Sequence, residues 1–74
     1  MNAKDIKLFY EDLSEVIVEL YHVDETVAKT AIQISNMDNI IKQIGSFIYH
    51  DPIESWAESV WSCYKRKSNE YSLV

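Results

Sequence analysis

The chain has 74 residues, room for one domain and no more, and a domain of that size buries only about 60 to 65% of the surface its unfolded form exposes. Hydrophobic residues at 47% and aromatics at 12% supply a generous core for that length. Twelve acids against seven bases leave a net charge of −5, a balance that phosphate backbones and anionic headgroups repel, so neither direct nucleic-acid binding nor a membrane surface is expected.

A single glycine and a single proline, with no Asn-Gly or Asp-Gly pair, argue against a sheet of tight hairpins and for an all-α fold. The lone Cys63 cannot form an internal disulfide, and a small secreted domain would ordinarily need several. The opening "MNAKDIKLFYEDL" places acids where a signal peptide needs an uninterrupted apolar run, and the apolar runs elsewhere fall far short of the roughly 20 residues of a membrane span. These features predict a cytoplasmic chain without a cofactor.

The first helix is predicted over about residues 4–21. Ile6, Phe9, Tyr10, Leu13, Val16, Ile17 and Leu20 recur at spacings of three and four, which sets them on one arc of roughly 140°. Glu11, Glu15 and Glu19 stand at i, i+4 and i+8 on the opposite side, where like charges cost a few tenths of a kcal/mol per pair. Asp12 widens that acidic strip, and Leu8 and Val18 are assigned to the same outward side. Residues 1–28 hold seven acids against Lys4 and Lys7, so their net charge equals that of the whole chain. The strip reads as a solvated face that aids solubility or as a docking face for a partner protein with a basic surface.

A second helix is predicted at 24–34, with Asp24 as its cap, Glu25 in the first turn and Val23 stapled against Ala28. Continuing it unbroken would carry Asp38 onto the face of Val27, Ala31 and Ile34, so a break falls near Ser35. A short third helix follows at about 36–44, capped from Ser35 and ended by Gly45. A helix-turn-helix reading of this pair is disfavoured, because the turn lacks its usual glycine, Asp38 opens the would-be recognition helix and Lys42 is its only base.

The fourth helix is predicted at 52–67. Asp51 serves as the cap, Pro52 takes the first helical position, Glu54 the third, and Lys65, Arg66 and Lys67 fill the last turn. Its apolar arc of roughly 160° carries Ile53, Trp56, Ala57, Val60, Trp61, Cys63 and Tyr64. Residues 1–67 thus form one compact bundle of three main helices and a short one, and residues 68–74 read as a frayed tail.

The stretch "YHDPIESWAESVW" gathers the residues most suggestive of chemistry. His50 beside Asp51 has the makings of the base half of a triad, but neighbours in sequence rarely adopt that geometry and no serine stands in a strained turn. Zinc ligation would draw on His22, His50, Asp24, Asp51, Glu25 and Glu54, without the short spacings such sites use. Trp56 and Trp61 are five positions apart, about 140° around the helix, too far to form one stacking platform. Trp56 belongs with the core. Trp61, at the edge of the arc, is a second candidate partner anchor. Enzymatic and metal-binding roles are therefore not expected.

The segments "ELYHVDETVAKTAI" and "SFIYHDPIESWAESVW" resemble small helical proteins of Gram-positive bacteria, their phages and mobile elements. In those proteins a His-x-x-x-Glu-x-x-Ala-Glu element closes the domain, matched here by His50, Glu54, Ala57 and Glu58 across a similarity covering about residues 11–61. The resemblance brings no activity or site with it. It implies a setting in which short acidic proteins serve as antitoxins, inhibitors or regulators. The expected function is a non-catalytic protein–protein interaction module using Leu8, Glu11, Asp12, Glu15, Val18, Glu19 and Trp61, with a homodimer built through helix 52–67 or an acidic DNA mimic as alternatives.

Overall fold

The computed structural model describes the backbone of residues 2–72 and the side chains of residues 2–67. The described residues form an all-α helical bundle with four α-helices among them: α1 (Ala3–Tyr21), α2 (Glu25–Ile34), α3 (Met37–Ile44) and α4 (Ile53–Ser72). A 3-10 turn, Gly45–His50, joins α3 to α4. α1, α2 and α4 each pack against the other two, while α3 and the 3-10 turn form an arm connecting α2 to α4.

The core is a single cluster. Phe9, Leu13 and Ile17 come from α1, Ala28, Ala31 and Ile32 from α2, Met37 and Ile41 from α3, Ile48 from the turn, and Ala57 and Val60 from α4. The i, i+4 column Phe9–Leu13–Ile17 lies at the centre of the expected arc, but the buried zone is broader than that arc. Ser14 is buried, its hydroxyl donating to the Glu11 carbonyl at 2.9 Å, and Val18 one turn on is half-buried against the core. Because α1 is flanked by both α2 and α4, its contact zone wraps past the stripe that periodicity marks, and this corrects the outward assignment of Val18. Leu20, expected in the stripe, is 47% exposed near the helix end.

Three left-handed residues end helices or redirect the chain. His22 closes α1 at φ 54°, a conformation His tolerates better than most side chains, and donates its N–H to the Val18 carbonyl. Asn36, at φ 66°, makes the break between α2 and α3, one residue after the expected position. Gly45 closes α3 at φ 54° and ψ −129°, a backbone region that essentially only glycine reaches, as the sequence requires of a helix terminator.

Capping departs from expectation. Asp24 holds the N-cap position of α2 in an extended conformation, yet its carboxylate accepts no helix amide. Ser35 caps no third helix; its hydroxyl donates backward to the Ile32 carbonyl at 2.7 Å. Asp51 is extended at φ −100° and ψ 148°, but α4 begins two residues later at Ile53, and no side-chain hydrogen bond to Asp51 occurs among the described residues. The side-chain cap that does form is Asn2, whose Oδ1 accepts the Asp5 N–H at 2.9 Å.

α4 continues to Ser72, five residues beyond the expected end, because no glycine or proline follows Pro52 to stop it. The expected tail at 68–74 is helical backbone as far as Ser72, and Leu73 and Val74 lie outside the described residues. The basic cluster accordingly does not close its own helix. Lys67 reaches across instead, its Nζ donating to the Ile34 carbonyl at 2.8 Å and supplying a cation to the C-terminus of α2.

Candidate interaction surface

The strip on α1 stands in solvent. Leu8, Glu11, Asp12, Glu15 and Glu19 are all exposed, with Leu8 at 49%, and no cation lies in ion-pair range of these acids among the described residues. The ion pair that does form is Lys29 Nζ with Glu25 Oε1 at 3.2 Å, one turn apart on α2 and in the favoured order. Of the other sequence-derived candidates, Val18 is half-buried against the core and Trp61 is half-buried between two tyrosines. The Trp61 ring stacks on Tyr21 at 4.7 Å and 12° and tilts against Tyr64 at 5.3 Å, which makes it a strut between α1 and α4. Burial and the Glu58 charge hold the Tyr21 phenol above its ordinary pKa.

The wide apolar arc of α4 likewise turns inward, with Ala57 and Val60 buried and Ile53, Trp56 and Tyr64 half-buried against the core. Trp56 also fastens the 3-10 turn, its Nε1 donating to the Ile48 carbonyl at 2.7 Å. Cys63 is a half-buried free thiol.

Among the described residues, the 3-10 turn carries the most exposed large apolar side chains, Phe47 at 66% and Tyr49 at 59%. Neither hangs loose. Phe47 stacks on His50 at 5.1 Å and 23°, and Tyr49 meets Phe9 of α1 edge to face at 6.1 Å and 87°. His50 is thus a stacking partner and, like Asp51, exposed; no hydrogen bond joins the two among the described residues. Among those residues no three of His, Cys, Asp and Glu gather into a group that could hold a metal ion, and no helix is long and apolar enough to cross a membrane. Sequence reasoning missed this aromatic pair, since a six-residue segment shows neither helical nor strand periodicity.

A hollow of about 520 Å³ lies where the first turns of α1 meet the α2–α3 junction, with Ile6, Ile32 and Met37 among its apolar lining. The Tyr10 hydroxyl donates to Asp38 Oδ1 on its wall, and burial, that hydrogen bond and the Asp38 charge together raise the phenol pKa well above its ordinary value. Lys7, Lys29, Glu11 and Asp38 all belong to the lining, so the hollow favours neither an anion nor a cation. Comparison with protein families, with curated proteins and with solved structures finds no match to this chain.

Proposed function

We propose that this chain works by binding another protein, without catalysing a reaction, and that the outer face of α1 receives a basic partner. The observation that carries the reading is the exposed column Glu11, Glu15 and Glu19, widened by Asp12 and bordered by Leu8, with no cation paired to it among the described residues. Three like charges at one-turn spacing are mutually repulsive in the free chain, and a basic surface relieves that cost on contact. A short acidic module of this kind suits an antitoxin-like or phage-encoded inhibitor acting in the cytoplasm.

The test is co-expression with the products of neighbouring genes and capture of the partner by the native chain and by the Glu11→Lys, Glu15→Lys, Glu19→Lys variant. Expected is loss of capture by the reversed variant at unchanged helicity, with capture by the native chain weakening as salt rises, since exposed charges are screened within about 8 Å at physiological ionic strength. Capture indifferent to both charge reversal and salt would remove the reading.

A further inference from the structure

We propose that the hollow between the first turns of α1 and the α2–α3 junction binds a small zwitterion with an apolar side chain, the chemistry of a free apolar amino acid. The proposal does not rest on the reading of the outer face of α1. Three observations carry it: the size and lining of the hollow, the tie that braces its wall, and the two opposite charges left free at its edge.

The hollow has about 520 Å³, within the roughly 300–1,000 Å³ of small-molecule sites. Ile6, Ile32 and Met37 come to it from three different helices, and Ile32 and Met37 belong to the buried core, so this apolar surface is fixed by the packing of the bundle. The Tyr10 hydroxyl, donating to Asp38, ties α1 to α3 across the lining. A site built on packed helices and braced in this way needs little ordering when a ligand arrives.

Of the four charged side chains in the lining, two are already engaged. Lys29 pairs with Glu25 at 3.2 Å, and Asp38 accepts the Tyr10 hydroxyl. Lys7 and Glu11 remain: both are exposed, and among the described residues neither lies in ion-pair range of an opposite charge. They stand one turn apart on α1 with lysine first, the order that favours their mutual pairing less.

An anion in the hollow meets Lys7 but also Glu11 and Asp38, and a cation meets the reverse. An uncharged molecule reaches the Gln33 and Asn36 amides of the lining and leaves both free charges beside an apolar body. A zwitterion answers both at once: carboxylate toward Lys7, ammonium toward Glu11, and an apolar side chain against Ile6, Ile32 and Met37.

The test titrates the intact chain at low salt with phenylalanine and with three analogues of the same apolar body: phenethylamine, which lacks the carboxylate, hydrocinnamate, which lacks the ammonium, and uncharged hydrocinnamamide. Amide chemical shifts report the site. Expected is phenylalanine bound roughly two- to five-fold more tightly than each analogue, the range of an exposed ion pair, with shift changes at Ile6, Gln33 and Met37. In Lys7→Gln the preference over phenethylamine should vanish while that over hydrocinnamate persists, and Glu11→Gln should do the reverse. Equal binding of hydrocinnamamide and phenylalanine would overturn the proposal, as would shift changes centred on other residues or no binding of phenylalanine at millimolar concentration. Each of these outcomes leaves the reading of α1 as a partner face standing, since that reading is tested by capture of a protein.

Discussion

The outer face of α1 and the 3-10 turn both leave large apolar side chains in water, by different routes. On α1 each residue advances about 100°, so a side chain at the far side of the helix from Leu13 is exposed wherever the sequence puts it, and Leu8 at 49% sits among acids. In the turn each residue advances about 120°, and a segment of two turns docked on one side buries only what points inward. Ile48 is fully buried there while Phe47 and Tyr49, immediately before and after it, are 66% and 59% exposed. Exposure on α1 is a property of the helix period. Exposure in the turn depends on how the turn is docked, and besides the Tyr49–Phe9 ring contact two interactions bear on that docking: Ile48 in the core and the Trp56 hydrogen bond to its carbonyl.

The largest expected effect tests the first of these two interactions. Ile48→Ala deletes a fully buried side chain and should cost about 2–5 kcal/mol of unfolding free energy in a urea titration. Phe47→Ala, one residue away, should change it by less than about 0.5 kcal/mol, as Leu8→Ala on α1 should. Similar costs for Ile48→Ala and Phe47→Ala would mean that the turn is not docked through Ile48.

Trp56→Phe tests the second interaction. It keeps a ring in the half-buried site and removes the Nε1 donor, so the Ile48 carbonyl loses that partner and stability falls by about 0.5–1.5 kcal/mol. The loss should be local as well as global, with faster amide exchange across Gly45–His50 than across α1. Uniform acceleration across both segments would show that the hydrogen bond does not hold the turn in particular.

At its other end, the connecting arm touches α1 through Tyr10 and Asp38, and pH separates that contact from the Trp56 tie. The Tyr10 phenol titrates above its unfolded value of about 10 in the folded chain, so the stability it brings is fully present below that value. Above it the unfolded state releases its proton first, and stability falls as pH rises toward the raised folded value. Tyr21 is shifted in the same direction, so Tyr10→Phe should lessen the alkaline loss seen in melting temperature between about pH 9 and 11 without abolishing it. An unchanged alkaline slope would separate Tyr10 from the effect.

The same contrast explains what could be read in advance. The all-α class, the bounds of α2 at Ile34 and of α1 at Tyr21, and the glycine stop at Gly45 follow from period and backbone chemistry, which are local properties. Val18 was misassigned because period marks the centre of a helix's contact face and not its width, which is set by how many neighbours flank it. The Tyr21–Trp61 stack, the reach of Lys67 to α2 and the aromatic turn all join positions far apart in sequence or lack any period, so no local pattern announces them. The acidic column of α1 was visible because its spacing is helical; the rings at 47 and 49 were not.

The smallest expected effect concerns the junction between turn and helix. "HDPIES" has the sequence of a capped helix start, and an Asp that accepts a first-turn amide is worth about 0.5–2 kcal/mol over Ala. Asp51 has the extended backbone of a cap, but α4 begins at Ile53 and the carboxylate accepts no hydrogen bond among the described residues. What remains is its charge near the positive end of the α4 dipole, an exposed and salt-screened interaction. Asp51→Ala should therefore cost less than about 0.5 kcal/mol, and Asp51→Asn nearly as much, because both remove the charge. Asn2→Ala, which removes a cap bond present at 2.9 Å, should cost more than either. Urea titrations of the three variants at low and high salt decide the matter. If Asp51→Ala costs as much as Asn2→Ala while Asp51→Asn costs nothing, the Asp51 side chain caps α4 in solution and the turn is tied to the helix by a further contact.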